Sequence, residues 1–252
     1  MKKNLYYATV YQRNNLLRDF ILSFFLGISS YPRLILEVFL RKNMGERYFS
    51  LASAITIAVV LAFIPMSILR FEYPLFTVIA RNLLYYAFLA AFLVFSAFRY
   101  REVKREPSVF DFARFSKTGG RVNPIFFKIK LFGREPDIRT VEIWYEALPF
   151  FVLGWLLILL GLGTFLGPLL VICAIIYSLS HAGGYKRGDD FLMDKIDEII
   201  CNEDLTDAFV KDRESPRGFR WYGKKPSSED LREEYVEDIC YEDDEDEATE
   251  AR

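Results

Sequence analysis

The sequence predicts a mainly α-helical, multi-pass membrane protein. About four spans are arranged as two hairpins, with a small cytoplasmic β-hairpin and an acidic, partly helical C-terminal tail. Three observations predict this. Residues 147–180 form a run of 34 without one formal charge, and a helix needs only about 20 apolar residues to cross a hydrocarbon core. A second apolar block fills residues 49–98. The charges are also segregated: residues 1–185 hold 21 Lys and Arg against 11 Asp and Glu, a net of +10, whereas residues 186–252 hold 11 against 23, a net of -12. A basic body followed by an acidic tail fits a lipid-facing block joined to a soluble segment.

Residues 1–48 begin with a polar, aromatic stretch that carries no motif. Residues 16–40 then read LLRDFILSFFLGISSYPRLILEVFL. Arg18, Asp19, Pro32, Arg33 and Glu37 interrupt it too often for a plain span, yet it is too apolar for a free loop. It reads as two amphipathic helices lying in the membrane interface, divided near residues 29–32, or as a helix packed against the spans. The MKKN start is not expected to introduce a secretory leader, because the first apolar segment comes late and is flanked by Arg13, Arg18, Arg33, Arg41, Lys42 and Arg47.

Residues 49–98 form the first transmembrane hairpin, with spans at 50–69 and 76–98 joined by a short turn at 70–74. Pro65 bends the first span near its far end. Basic residues precede the hairpin and RYREVKR follows it, so the positive-inside rule places both flanks in the cytoplasm. Arg81 and Asn82 are a strongly polar pair inside the second span. An ionisable residue there is a functional candidate by default, although Arg81 is near the helix end and can snorkel to the headgroups.

Residues 99–146 form a basic cytoplasmic connection. Residues 110–115 (FDFARF) and the alternation of Phe127, Ile129 and Leu131 with Lys128 and Lys130 predict a β-hairpin around the turn SKTGGRVNP. Anionic membrane lipid, rather than nucleic acid, is the expected partner of basic groups pinned between spans.

As one helix, residues 147–180 would extend about 51 Å, well beyond a hydrocarbon core of about 30 Å. Gly161, Gly163, Gly167 and Pro168 weaken the middle, and Pro149 and Pro168 each suit a first helical turn. The run therefore predicts a second hairpin, with helices at about 147–162 and 166–180. The rivals are one long helix with Gly163 and Gly167 as a GxxxG face, and a re-entrant loop. Lys186 and Arg187 mirror Arg134 and Arg139, which favours the split. The short basic start and the compact layout favour a bacterial inner membrane with both termini cytoplasmic.

Residues 181–252 form the soluble tail. Asp189 or Asp190 can cap a helix over 191–201, on which Leu192, Ile196, Ile199 and Ile200 make one apolar stripe. A second short helix holds Leu205, Phe209 and Val210, and Ser228 can cap a third at 229–240. Trp221 and Tyr222 lie in a Pro, Gly and basic stretch. The last ~12 residues are too acidic to fold. Leu192, Ile196, Ile199, Ile200, Trp221 and Tyr222 are the candidate docking residues, for the central β-hairpin or for another protein.

No residue set for catalysis, cofactor or metal is assigned. The single histidine, His181, excludes HExxH and other multi-histidine sites. SKTGG at 116–120 lacks the GxxxxGK[ST] pattern, and GxSxG, GxGxxG and the kinase signatures are absent. EDDEDE at 242–247 lacks calcium-loop spacing. Cys173, Cys201 and Cys240 have no CxxC spacing and read as reduced thiols. The expected function is a non-enzymatic membrane subunit, scaffold or adaptor. It would dock other membrane or cytoplasmic proteins through its tail, with homo-oligomerisation open. The alternatives are a small oligomeric transporter or channel using Arg81 and Asn82 with Thr56, and a lipid-directed enzyme using Glu142, Glu146 and His181 near the interface.

Overall fold

The structure is a computed structural model that describes residues 3–11, 16–69, 72–105, 115–129, 136–162 and 164–241. The chain divides into two units, residues 21–185 and residues 1–20 with 186–252. Among the described residues, five helical stretches are long and apolar enough to cross a membrane: Leu17–Leu40, Leu51–Leu69, Leu83–Lys104, Ile138–Leu159 and Leu166–Phe209. The chain is thus mainly helical and of multi-pass type.

The first stretch corrects an expectation. Helix α1 runs unbroken from Leu16 to Leu40 with Pro32 inside it, instead of dividing near residues 29–32. A proline removes one helical hydrogen bond, here the one to the Ile28 carbonyl four residues back. Leu34, Ile35 and Leu36, just beyond Pro32, are buried in the core of this unit, and tertiary packing of that kind outweighs one missing bond.

Helix α2 (Leu51–Leu69) packs against the broken pair α3 (Leu75–Arg81) and α4 (Leu83–Arg105). Pro65 lies within α2 and cannot donate to the carbonyl of Leu61, four residues back. The hydroxyl of Tyr85 on α4 does so instead, at 2.7 Å. Its neighbour Tyr86 reaches the Ala62 carbonyl at 3.2 Å, which faces the ordinary amide of Met66. Tyr85→Phe is therefore expected to cost about 1–2 kcal/mol, because it strands a buried carbonyl, and Tyr86→Phe clearly less. Unfolding titrations in mild detergent check the order, and equal losses would refute it.

The apolar run of 147–180 is divided where its glycines fall. Helix α6 (Leu148–Leu159) ends before Gly161 and Gly163, and α7 (Leu166–Phe209) begins after them. The two helices approach closely at Gly154, where an added Cβ would lie 2.8 Å from the Gly167 carbonyl oxygen. The helix leading into α6 begins earlier than expected, as a short α5 (Ile138–Thr140) followed by a wide turn, Val141–Tyr145. Glu142 and Glu146 are consequently carried on helical backbone.

The core of this unit gathers Leu36 and Val38 from α1, Ala54 and Ala58 from α2, Phe92 from α4, and Leu157, Leu170 and Tyr177 from α6 and α7. Among the described residues the expected β-hairpin is not found. Phe126–Lys128 forms a 3-10 turn, since three alternating residues fit a tight turn as well as a strand. Residues 110–114 and 130–131 lie outside the described residues.

The second unit also differs from expectation. No new helix starts at Asp189 or Asp190, because α7 continues to Phe209 as one helix of 44 residues. Gly183, Gly184 and Gly188 weaken a helix by about 1 kcal/mol each, but each keeps its amide, so none terminates it. Cys201, Leu205, Ala208, Phe209 and Val210 pack with Tyr6 and Phe219. The N-terminal stretch, read as having no motif, supplies Tyr6 to that core, with Tyr7 and Tyr11 packed against it. Helix α8 (Glu229–Ile239) follows, and Cys240–Tyr241 pairs antiparallel with Lys3–Asn4.

Candidate functional site

Three sets of polar residues, each spaced four apart, meet beside the apolar core of the first unit. Arg33, Glu37 and Arg41 follow one face of α1 and its C-terminal end. Glu142 and Glu146 come from the segment leading into α6, and Tyr177 and His181 from α7. Glu37 and Glu146 are both 0% exposed and Arg41 is 3% exposed. Burial of this kind requires partners, and each charge has them. The Arg41 guanidinium is paired with Glu146 through Nη2, and its Nε lies 3.2 Å from both Glu146 oxygens. It also stands 3.2 Å from Glu142. Tyr177 donates to Glu146 at 2.5 Å.

Glu37 accepts from the Tyr48 hydroxyl at 2.7 Å on both oxygens. The Nε of Arg33 stands 2.9 Å from Glu37, as an ion pair whose angle is too oblique for a hydrogen bond. Burial pushes the Tyr48 hydroxyl pKa up and the Glu37 charge adds to it, so Tyr48 acts as a neutral donor. His181 sits between two carboxylates, 3.8 Å from Glu37 and 3.9 Å from Glu142. Arg33 and Ser29 both donate to Ser180, at 3.0 and 2.9 Å.

Two loops cover this cluster. The Gly45 amide donates to Thr118 at 2.8 Å, Arg47 to Ser116 at 3.0 Å, and Arg121 to Lys42 at 2.8 Å. A Cβ on Gly45 would stand 2.1 Å from the Ser116 carbonyl oxygen, so only glycine permits this stitching. The SKTGG stretch, which lacks a phosphate-loop pattern, is a lid packed on Arg41 and Tyr48 at Gly119.

Arg81 and Asn82 do not join the cluster. Arg81 is exposed on its helix, with its guanidinium 5.3 Å from the Tyr73 ring centre. Asn82 marks the break between α3 and α4, where its side-chain amide donates to the Val78 carbonyl at 2.9 Å. That bond serves its own backbone rather than a pathway.

The tail candidates separate into two groups. Ile200 packs against the aromatic core of the second unit, so the N-terminal segment, not a β-hairpin, meets that end of the stripe. Trp221 also turns inward, stacked on Tyr6 at 4.0 Å and set 4.2 Å from Phe209. Tyr222 is exposed, and its backbone amide donates to the Tyr6 hydroxyl at 2.6 Å. Leu192, Ile196 and Ile199 remain uncovered, at 59%, 40% and 40% exposure, alongside Phe191 and Met193.

Protein-family models, curated proteins and solved structures offer no match to this chain. Its chemistry is therefore argued from the geometry alone. The buried cluster brings together Glu142, Glu146 and His181, the groups an interfacial enzyme would use. It also spends them on Arg41, Tyr177 and Tyr185, whose hydroxyl donates to Glu142 at 2.6 Å. An arrangement so fully paired locks α1, α6 and α7 in register. The features that remain open are the stripe on α7 and the cavities beside α2.

Proposed function

We propose that this protein is a non-enzymatic subunit of a larger membrane assembly that docks a partner protein through the tail segment of α7. One observation carries the reading: Leu192, Ile196 and Ile199 stay uncovered while the following turns of the same helix are buried. Contiguous apolar surface rimmed by polar groups is characteristic of interaction sites, and Asp189, Asp190, Asp194 and Asp197 rim this stripe. A basic amphipathic helix is the complementary partner. The basic flanks of the apolar segments favour a cytoplasmic tail, in keeping with a bacterial inner membrane. A transporter lined by Arg81 and Asn82 has less support, since one residue is exposed beside Tyr73 and the other is bonded to its own helix.

The test is site-directed photocrosslinking in native membranes. A photoreactive residue at position 196 should yield one discrete protein adduct, lost in Leu192→Asp, while the same residue at Glu214 yields none. An adduct of twice the chain's own mass would make the partner a second copy. Crosslinks to lipid alone would end the docking reading.

A further inference from the structure

A second open feature is independent of the tail. Beside α2 lies a groove of about 620 Å³, bounded by α1, α2 and α7. Its wall is apolar, with Ile35, Ile57, Val60, Leu61, Leu169 and Ile172 among its lining residues. At Tyr31 and Ser53 it joins a second cavity of about 430 Å³. That cavity carries more polar groups than the groove, with Ser30, Ser50, Ser53, Arg47 and Lys117 at its border. The backbone bond from Arg47 to Ser116 holds these two basic residues side by side. Neither has a carboxylate partner among the described residues.

The charge balance of this mouth is positive. Glu37 also borders it, but its carboxylate is fully buried and already engaged by Arg33 and Tyr48. Glu46 lines a different cavity, with Tyr100 and Lys104. Ser50 precedes the first turn of α2, and the N-terminus of a helix of this length adds a favourable field for an anion. The depression is therefore apolar along the membrane-facing helix and cationic at the helix base.

We propose that this groove holds one anionic phospholipid, with an acyl chain along α2 and its phosphate between Arg47 and Lys117. Lipid tails are as apolar as the groove, so moving a chain from bilayer to groove brings little hydrophobic gain. Selectivity must come from the headgroup, where each basic residue adds to the attraction for an anionic lipid. This sets the experiment, which does not depend on the docking reading.

The full-length protein in mild detergent is titrated with phosphatidylglycerol or phosphatidylcholine of the same chain length, and bound lipids are counted by native mass spectrometry. Wild type should retain one phosphatidylglycerol in preference to phosphatidylcholine. The double variant Arg47→Gln, Lys117→Gln should bind phosphatidylglycerol about 30-fold more weakly, with phosphatidylcholine unchanged. Both positions are exposed, so an unchanged melting temperature is expected alongside. Thr56→Trp, which fills the groove, should reduce occupancy by both lipids. Glycerol phosphate should not displace the lipid. Equal retention of both lipids by wild type, undiminished selectivity in the double variant, or displacement by glycerol phosphate would each overturn the proposal.

Discussion

Replacing Arg41 with methionine is expected to destabilise the membrane block by about 3–5 kcal/mol, the usual cost of orphaning one side of a buried ion pair. Glu146 would keep only the Tyr177 hydroxyl at 2.5 Å, inside a site with no solvent exposure. Glu142 would lose the guanidinium 3.2 Å away. Glu146→Gln should cost less, because Arg41 retains Glu142 and glutamine leaves no uncompensated charge. The order of the two variants is therefore part of the expectation. Charge burial by itself does not ensure stability, since apolar replacement of a whole buried pair is often neutral. A double variant, Arg41→Met with Glu146→Met, should recover at least half of the single-site loss. Unfolding curves in mild detergent for the three proteins decide the matter. If Arg41→Met unfolds like wild type, the cluster does not hold α1 to α6 and α7.

The second large effect is expected at Trp221. Truncation to alanine removes a ring stacked on Tyr6 and in contact range of Phe209, at a cost of about 3 kcal/mol, the low end for a tryptophan that is only partly buried. Local opening of that size should speed amide exchange across residues 200–222 roughly 100-fold. Trp221→Phe should be mild, because the indole Nε1 has no hydrogen-bond partner among the described residues to lose. Tyr222→Ala should also be mild, since that residue contributes its backbone amide to Tyr6. A Trp221→Ala protein with wild-type exchange would return this residue to the docking surface.

Local chemistry was the legible part of this fold. Pro149, Pro168 and the glycines between them locate the division of the apolar run, because their effect on a helix is felt within a turn. The α8 boundary was legible for the same reason. Pro32 misled because a proline only weakens a helix, and the burial of Leu34, Ile35 and Leu36 beyond it keeps the helix going. Phe126–Lys128 misled because a short alternation has no period to speak of.

The ionic cluster was half visible. Arg33, Glu37 and Arg41, then Glu142 and Glu146, then Tyr177 and His181 each repeat at a spacing of four, which marks one helix face. That these three faces meet depends on packing between segments more than a hundred residues apart, such as Arg41 and Glu146. The same limit hid the role of Tyr6, whose partner Trp221 lies at the opposite end of the chain.

The meeting of the two chain ends constrains the topology of everything between them. Lys3–Asn4 pairs with Cys240–Tyr241, and Tyr6 shares one core with Phe209 and Phe219. A core cannot be assembled from segments on opposite faces of a bilayer, so both termini are expected on the same side. On that expectation the number of crossings is even, and one of the five candidate stretches would lie along the membrane instead of traversing it. The stretch of lowest mean hydropathy, Leu17–Leu40 at 1.4, carries Arg18, Asp19, Arg33 and Glu37 and is the first to set aside.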